Sequence, residues 1–158
     1  MEPFEVDAFG LFDKQWALVS AGTLKNFNTM TISWGGIGTL WSRPVATIYV
    51  RPSRYTFEFL EKNDLFTVSF FPEKYKKDLG VLGSKSGRDC DKIALTGLTP
   101  KSISQSVTFE EASAALICRK IYYQDLDSEQ IPREVLASYY QTKDLHRMYI
   151  GEVTGVLR

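Results

Sequence analysis

The sequence predicts a mainly β protein with inserted helices, a β-barrel carrying α-helical additions. Short β-branched and aromatic runs recur at regular spacing, each bounded by Gly, Pro, Asn or Asp. The helical patterns are brief and fall between those runs. The long helices that alternate with strands in a doubly wound parallel sheet are missing.

Taken in order, residues 16–21, 29–34, 45–50 and 65–71 read as the strands of the first half. Between the third and fourth, "SRYTFEFLEKND" reads as a helix: Ser53 can cap it, Phe57 and Leu60 share a face, and Asn63-Asp64 stops it. A polar helical segment over 72–79 follows, then the loop "GVLGSKSGRD" and a short helix from Asp91 that ends at Thr96-Gly97. The second half predicts strands over 107–109 and 114–123, a helix over 132–140 and a final strand over 148–157.

A chain of 158 residues with 44% hydrophobic and 13% aromatic content can bury one substantial core, so a single domain over 1–158 is expected. Its 19 basic and 19 acidic residues are interspersed and cancel, leaving no global field for nucleic acid or an anionic membrane. Any anion must be met by a local cluster. The start, Met1-Glu2-Pro3-Phe4-Glu5, has no basic region ahead of an apolar run, and the expectation is a cytoplasmic protein without membrane spans. Cys90 and Cys118 form no C-x-x-C pair, and with one histidine no zinc or histidine-rich metal site is expected.

The stretch "NTMTISW" alternates strictly, with Thr29, Thr31 and Ser33 on one face and Met30, Ile32 and Trp34 on the other. One face is a row of small hydroxyls, and a three-glycine turn, "GGIG", comes next. In "YVRPSRYT" a strand ends in Arg51-Pro52 and a helix begins at Ser53. Free N–H groups at a helix start, two arginines and the Ser53 and Thr56 hydroxyls suit a phosphate. The same residues equally suit an ordinary cap flanked by solvated arginines. "GSKSGRD" offers Lys85, Ser86 and Arg88 on a flexible turn, but the order of Ser84 and Lys85 and the helical segment before it exclude a P-loop. "WGGIG" is not a dinucleotide fingerprint. Trp34 and Trp41 flank the glycines and could face a planar ring or the core. His146, two residues after Asp144, could orient a ligand or move a proton, or be an ordinary polar residue.

The linear order "NTMTISWGGIG", "RPVATIYVRPSRYTFEFLE", "LFTVSFF", "LGSKSGRDCDKIALTGLTP" and "HRMYIGEV" resembles the flavin reductase-like family over about residues 12–156. These are FMN-binding split-barrel proteins that include flavoredoxins and the reductase components of two-component monooxygenases. The resemblance implies a split β-barrel homodimer with one FMN per subunit near the interface. It implies that Asn28, Thr29, Thr31 and Ser33 edge the isoalloxazine ring, with the strand backbone at Met30 and the neighbourhood of Trp34 beside it. Arg51, Ser53 and Thr56 would hold the ribityl phosphate at the helix start, and Lys85 and Ser86 would close over it.

NAD(P)H would stack on the exposed flavin face and pass a hydride to N5, with no Rossmann motif and no obligatory acid or base. Related reductases carry an Asp-His pair by the nicotinamide; here Leu145 separates Asp144 from His146, which stands as a catalytic candidate. The family offers two functions: an NAD(P)H-dependent flavin reductase, serving a monooxygenase or another acceptor, and a flavoredoxin-like electron carrier reduced by a redox partner protein. A split-barrel binding module without redox function is the third reading.

Overall fold

The computed structural model describes residues 5–158. A short helix, α1 (Ala8–Asp13), is capped by Asp7, whose carboxylate accepts from Gly10 N–H at 3.1 Å. The next four strands form two hairpins: β1 (Ala17–Thr23) with β2 (Asn26–Ile32), and β3 (Gly35–Leu40) with β4 (Arg43–Val50). Helix α2 (Tyr55–Lys62) leads to β5 (Leu65–Phe70), and a 3-10 turn leads to α3 (Lys76–Ser84). A small hairpin of β6 (Pro100–Ile103) and β7 (Ser106–Phe109) precedes β8 (Ala114–Asp125), α4 (Arg133–Tyr139) and β9 (Arg147–Leu157).

Seven strands make one antiparallel sheet in the order β2-β1-β5-β8-β9-β4-β3. Its two end strands, β2 and β3, are neighbours in sequence, joined only by Ser33-Trp34, yet they do not pair with each other. The sheet therefore curls into a barrel that stays open on one seam. Register shifts between β8 and β9 at Ile117/Cys118 and Lys120/Tyr122 add the local twist such curling needs. Ala17, Val19, Met30, Ile48, Phe66, Val68 and Tyr149 fill the interior.

A second layer, α3 and β7, covers the outer side of β1, β2 and β5, with Leu18, Phe71, Leu79, Leu82 and Phe109 between them. Thr29 of the hydroxyl row belongs to this layer. Ser20 donates to Thr29 at 2.9 Å and Thr29 to the Val19 carbonyl at 3.1 Å; Thr67 donates to the Val107 carbonyl and Ser69 pairs with Thr108. Small hydroxyls let buried polar groups satisfy one another where two sheet layers meet closely. No helix among the described residues is long and apolar enough to cross a membrane.

Several elements differ from the sequence reading, which gave neither α1 nor β6. The glycine-rich stretch is no turn but the edge strand β3, where a side chain on Gly35 would strike the Phe12 ring at 2.7 Å. Helix α3 runs to Ser84, into the expected loop, and the helix from Asp91 shrinks to a 3-10 turn over Ile93–Leu95. The true turns are Trp41-Ser42 and Ser104-Gln105, two-residue loops in which both residues have positive φ. Such loops prefer Asn-Gly, which explains why composition did not reveal them. Replacing Ser104-Gln105 by Asn-Gly is expected to raise unfolding stability by about 0.5–1 kcal/mol, since non-glycine residues are strained there. Denaturant midpoints of the two proteins check it.

Candidate functional site

The open seam exposes Ser33 and Trp34, and beside them lies a cleft of about 180 Å³. β2 contributes Met30, Thr31 and Ile32, β4 contributes Tyr49, and Arg51, Arg54 and His146 complete the wall. Trp34 stands edge-on to Tyr139, ring centroids 5.1 Å apart, and 5.2 Å from the His146 ring. The cleft is thus flat-sided, aromatic at one end and polar along the strand. Thr31 donates its hydroxyl hydrogen to the Leu79 carbonyl at 2.5 Å, leaving only lone pairs for a ligand. Among the described residues the Ser33 hydroxyl has no hydrogen-bond partner.

Arg51 builds the far wall. Its guanidinium donates to the carbonyls of Tyr139 at 2.7 Å and Asp144 at 2.8 Å and lies 5.0 Å over the Tyr140 ring. This clamps the segment between α4 and β9 against the end of β4. Ser53 adds a hydrogen bond to the Asp144 carboxylate. Tyr140 pairs with Nδ1 of His146 at 2.7 Å. His146 is 8% exposed, and burial first, then Arg51, pushes its imidazole down to about 4 against the opposing pull of Asp144. At neutral pH it is an uncharged ring.

Next to this cleft, sharing Met30 and Arg54 with it, is a smaller pocket of about 70 Å³. Ser53, Arg54 and Thr56 line it from the start of α2, and Lys85, Ser86 and Lys92 from the loop after α3. No side chain caps α2. Arg54 donates to the Gly83 carbonyl at 3.0 Å, and Asn28 donates to the buried Thr56 hydroxyl at 2.8 Å, tying β2 to α2 beneath the pocket. Gly87 brings the loop close: a Cβ there would lie 2.3 Å from Asn28 Oδ1. Arg88 locks the loop outside, donating to Glu58 and to the Ser53 carbonyl and lying 4.8 Å over Tyr55. Three cations and several hydroxyls line this pocket, and no carboxylate does.

The structure gathers most of the residues that the sequence singled out, with corrections. Thr29 is fully buried further along the same face of β2 as Thr31, beneath the second layer, with its hydroxyl committed to Ser20 and Val19, so it lines neither cavity. Arg51 lines the aromatic cleft and not the small pocket, because two carbonyls and Tyr140 hold its guanidinium. Ser53 is not the cap of α2; the N-cap position is Arg54. Asn28, Met30, Ser53, Thr56, Lys85 and Ser86 do meet around the small pocket, and Met30, Thr31, Ser33, Trp34 and His146 around the cleft. Sequence reasoning counted Arg54 as one of two arginines suited to an anion without assigning it to the phosphate, and it missed Lys92. Arg54 was legible as the second arginine of "RPSR"; Lys92, in a run of polar residues, carried no signal.

His146 offers a direct check. Its folded pKa lies below its ordinary 6.5, so its contribution to stability is present above pH 6.5 and is lost as pH falls toward 4. His146 is the one histidine, so little else titrates between pH 6.5 and 5. Denaturation of the His146→Phe variant is expected to show a flatter decline across that window; identical slopes in both proteins would exclude His146 as the source.

Comparison with known proteins agrees with this architecture. Residues 9–158 match the flavin reductase like domain. The fold is similar to an FMN-binding protein from Thermus thermophilus, solved with bound 1-cyclohex-2-enone, at TM-score 0.72 and 20% identity, covering 100% of this chain and 80% of that one. It is similar also to the flavoredoxin of Desulfovibrio vulgaris (Miyazaki F), TM-score 0.70 and 21% identity, over 99% and 76% of the two chains. A flavoredoxin from Methanosarcina acetivorans gives TM-score 0.68 and 20% identity over 99% and 75%. No curated protein is similar enough to count as a match. With its open seven-stranded barrel and a family match over all but the first eight residues, this chain belongs to the flavin reductase like family.

Proposed function

We propose that the chain is an FMN-binding oxidoreductase that takes electrons from NAD(P)H. The observation that carries this reading is the pairing of a flat-sided aromatic cleft with an adjoining cationic pocket that no carboxylate lines. That donor set fits a planar ring joined to a phosphomonoester. Thr31, Ser33 and Trp34 would border the ring, and Ser53, Arg54, Lys85 and Ser86 would hold the phosphate, with Asn28 and Thr56 bracing the floor. When bound, the flavin supplies the redox chemistry by accepting a hydride at N5. His146, an uncharged ring tied to Tyr140, is here a positioning residue for the cleft wall and not a proton donor.

A second copy of the chain would pack on β3. That edge strand borders an apolar cleft of about 310 Å³ formed with Pro44, Val45, Leu116, Val153 and Val156. Trp41, at the tip of its hairpin, is 64% exposed and held at a positive φ of 51°. An exposed aromatic kept in a strained turn is a feature that a partner surface explains. The alternative function, an FMN electron carrier reduced by a protein partner, is favoured by the same cationic pocket, which suits a retained cofactor.

An anaerobic visible spectrum of the desalted protein, before and after NADH and then NADPH, tests the reading. Flavin bands that bleach on addition of one nucleotide are expected. Bands that persist would assign the carrier function, and absence of flavin binding after incubation with FMN would overturn the cofactor. Titration of Arg54→Ala with FMN is expected to show a loss of about 1.5–3 kcal/mol, the worth of a hydrogen bond to a charged group, and Arg51→Ala a smaller one.

A further inference from the structure

Lys92 is the one buried lysine or arginine among the described residues. It is 3% exposed, and its ammonium donates to the carbonyls of Leu82 at 3.0 Å and Lys85 at 3.2 Å. Its third hydrogen has no acceptor, and no carboxylate pairs with it, among the described residues. A buried cation without a counter-ion is costly. Here it sits in the lining of the small pocket, below the loop that carries Lys85 and Ser86.

We infer that Lys92 is the internal counter-cation of the phosphomonoester: it ties the loop to the end of α3 and meets the phosphate from beneath, so that FMN binds together with a proton. This rests on the FMN reading above. Two carbonyl acceptors hold the nitrogen in place whether or not the pocket is filled, so the site is built before the ligand arrives. In the empty pocket burial, and then the neighbouring Arg54, lower Lys92 to about 8, while Cys90 opposes them. The groups that face it are Arg54 at the N-cap position of α2, Lys85 and the Cys90 side chain from its own loop, and the neutral Asn28 of β2. None supplies a buried negative charge. A phosphate dianion does, and keeps Nζ protonated in alkaline solution, taking from solvent the proton that the empty pocket would have released.

Binding of FMN and of riboflavin, which lacks the phosphate, tests this between pH 7 and 9, above the phosphate's own titration near 6. The Kd for FMN is expected to rise about tenfold from pH 7 to 9, as a group near 8 loses its proton. Riboflavin affinity should stay flat. Lys92→Met should bind FMN more weakly at pH 7 and lose the pH dependence, while its unchanged riboflavin affinity shows that the cleft is intact. Cys90→Ser should keep the rise in Kd, moved slightly to lower pH, since Cys90 opposes the lowering of Lys92. A flat FMN profile in the wild type, or a tenfold rise that persists in Lys92→Met, would overturn the role of Lys92 and leave the cofactor reading standing. Failure to bind FMN at every pH would overturn both.

Discussion

The site depends on a hydrogen-bond ladder that does not close. β2 and β3 are the two ends of a seven-stranded sheet and are joined by only Ser33 and Trp34, so curling brings them near without pairing them. Closure would have consumed the free edges and buried Trp34. With the seam open, Trp34 and the end of β2 face a cleft whose far side is brought up by β4 and the start of β9. The barrel's rigidity thereby becomes the site's rigidity, since most of the cleft lies on or beside strands.

Charge distribution sorts the basic residues of this region into two classes. Arg51 has its fork filled by two carbonyls and an aromatic face, and Arg88 by a carbonyl and Glu58. Both are architectural, one clamping the 139–146 segment and the other the 84–90 loop. Arg54 and Lys92 are different: burial lowers the pKa of both, and neither has a carboxylate partner among the described residues. Net charge near zero over the whole chain conceals this local surplus, which is where an anion would gain most.

Much of the fold was legible because half-buried strands announce themselves by β-branched and aromatic runs. β1, β4, β5, β8 and β9 fall where those runs lie, and α4 where its pattern does. The errors have physical causes. β3 needs a glycine at 35 because the Phe12 ring lies against its backbone there, while Gly36 and Gly38 border open space, and the three together make a strand resemble a turn. The real turns use Trp41-Ser42 and Ser104-Gln105 in conformations that such residues rarely adopt. α3 outran its expected end because Gly83 lets it approach Thr31 of β2, a contact across the fold that no local pattern encodes.

By itself the sequence determined the family, the strand-rich class and the segments that carry polar groups to the site, because motif order and side-chain alternation are properties of the chain. It could not decide which of two faces a residue serves when both faces are covered. Thr29 alternates perfectly with Met30, yet it turns toward the second layer, and only the packing of β7 and α3 on the outside of the sheet makes that side an interior. Nor could it separate Arg51 from Arg54. Tertiary structure decided this by placing two carbonyls and Tyr140 within reach of the first and the cationic pocket beside the second. It also buried Lys92 in the lining of that pocket, and burial is a property that no linear pattern records.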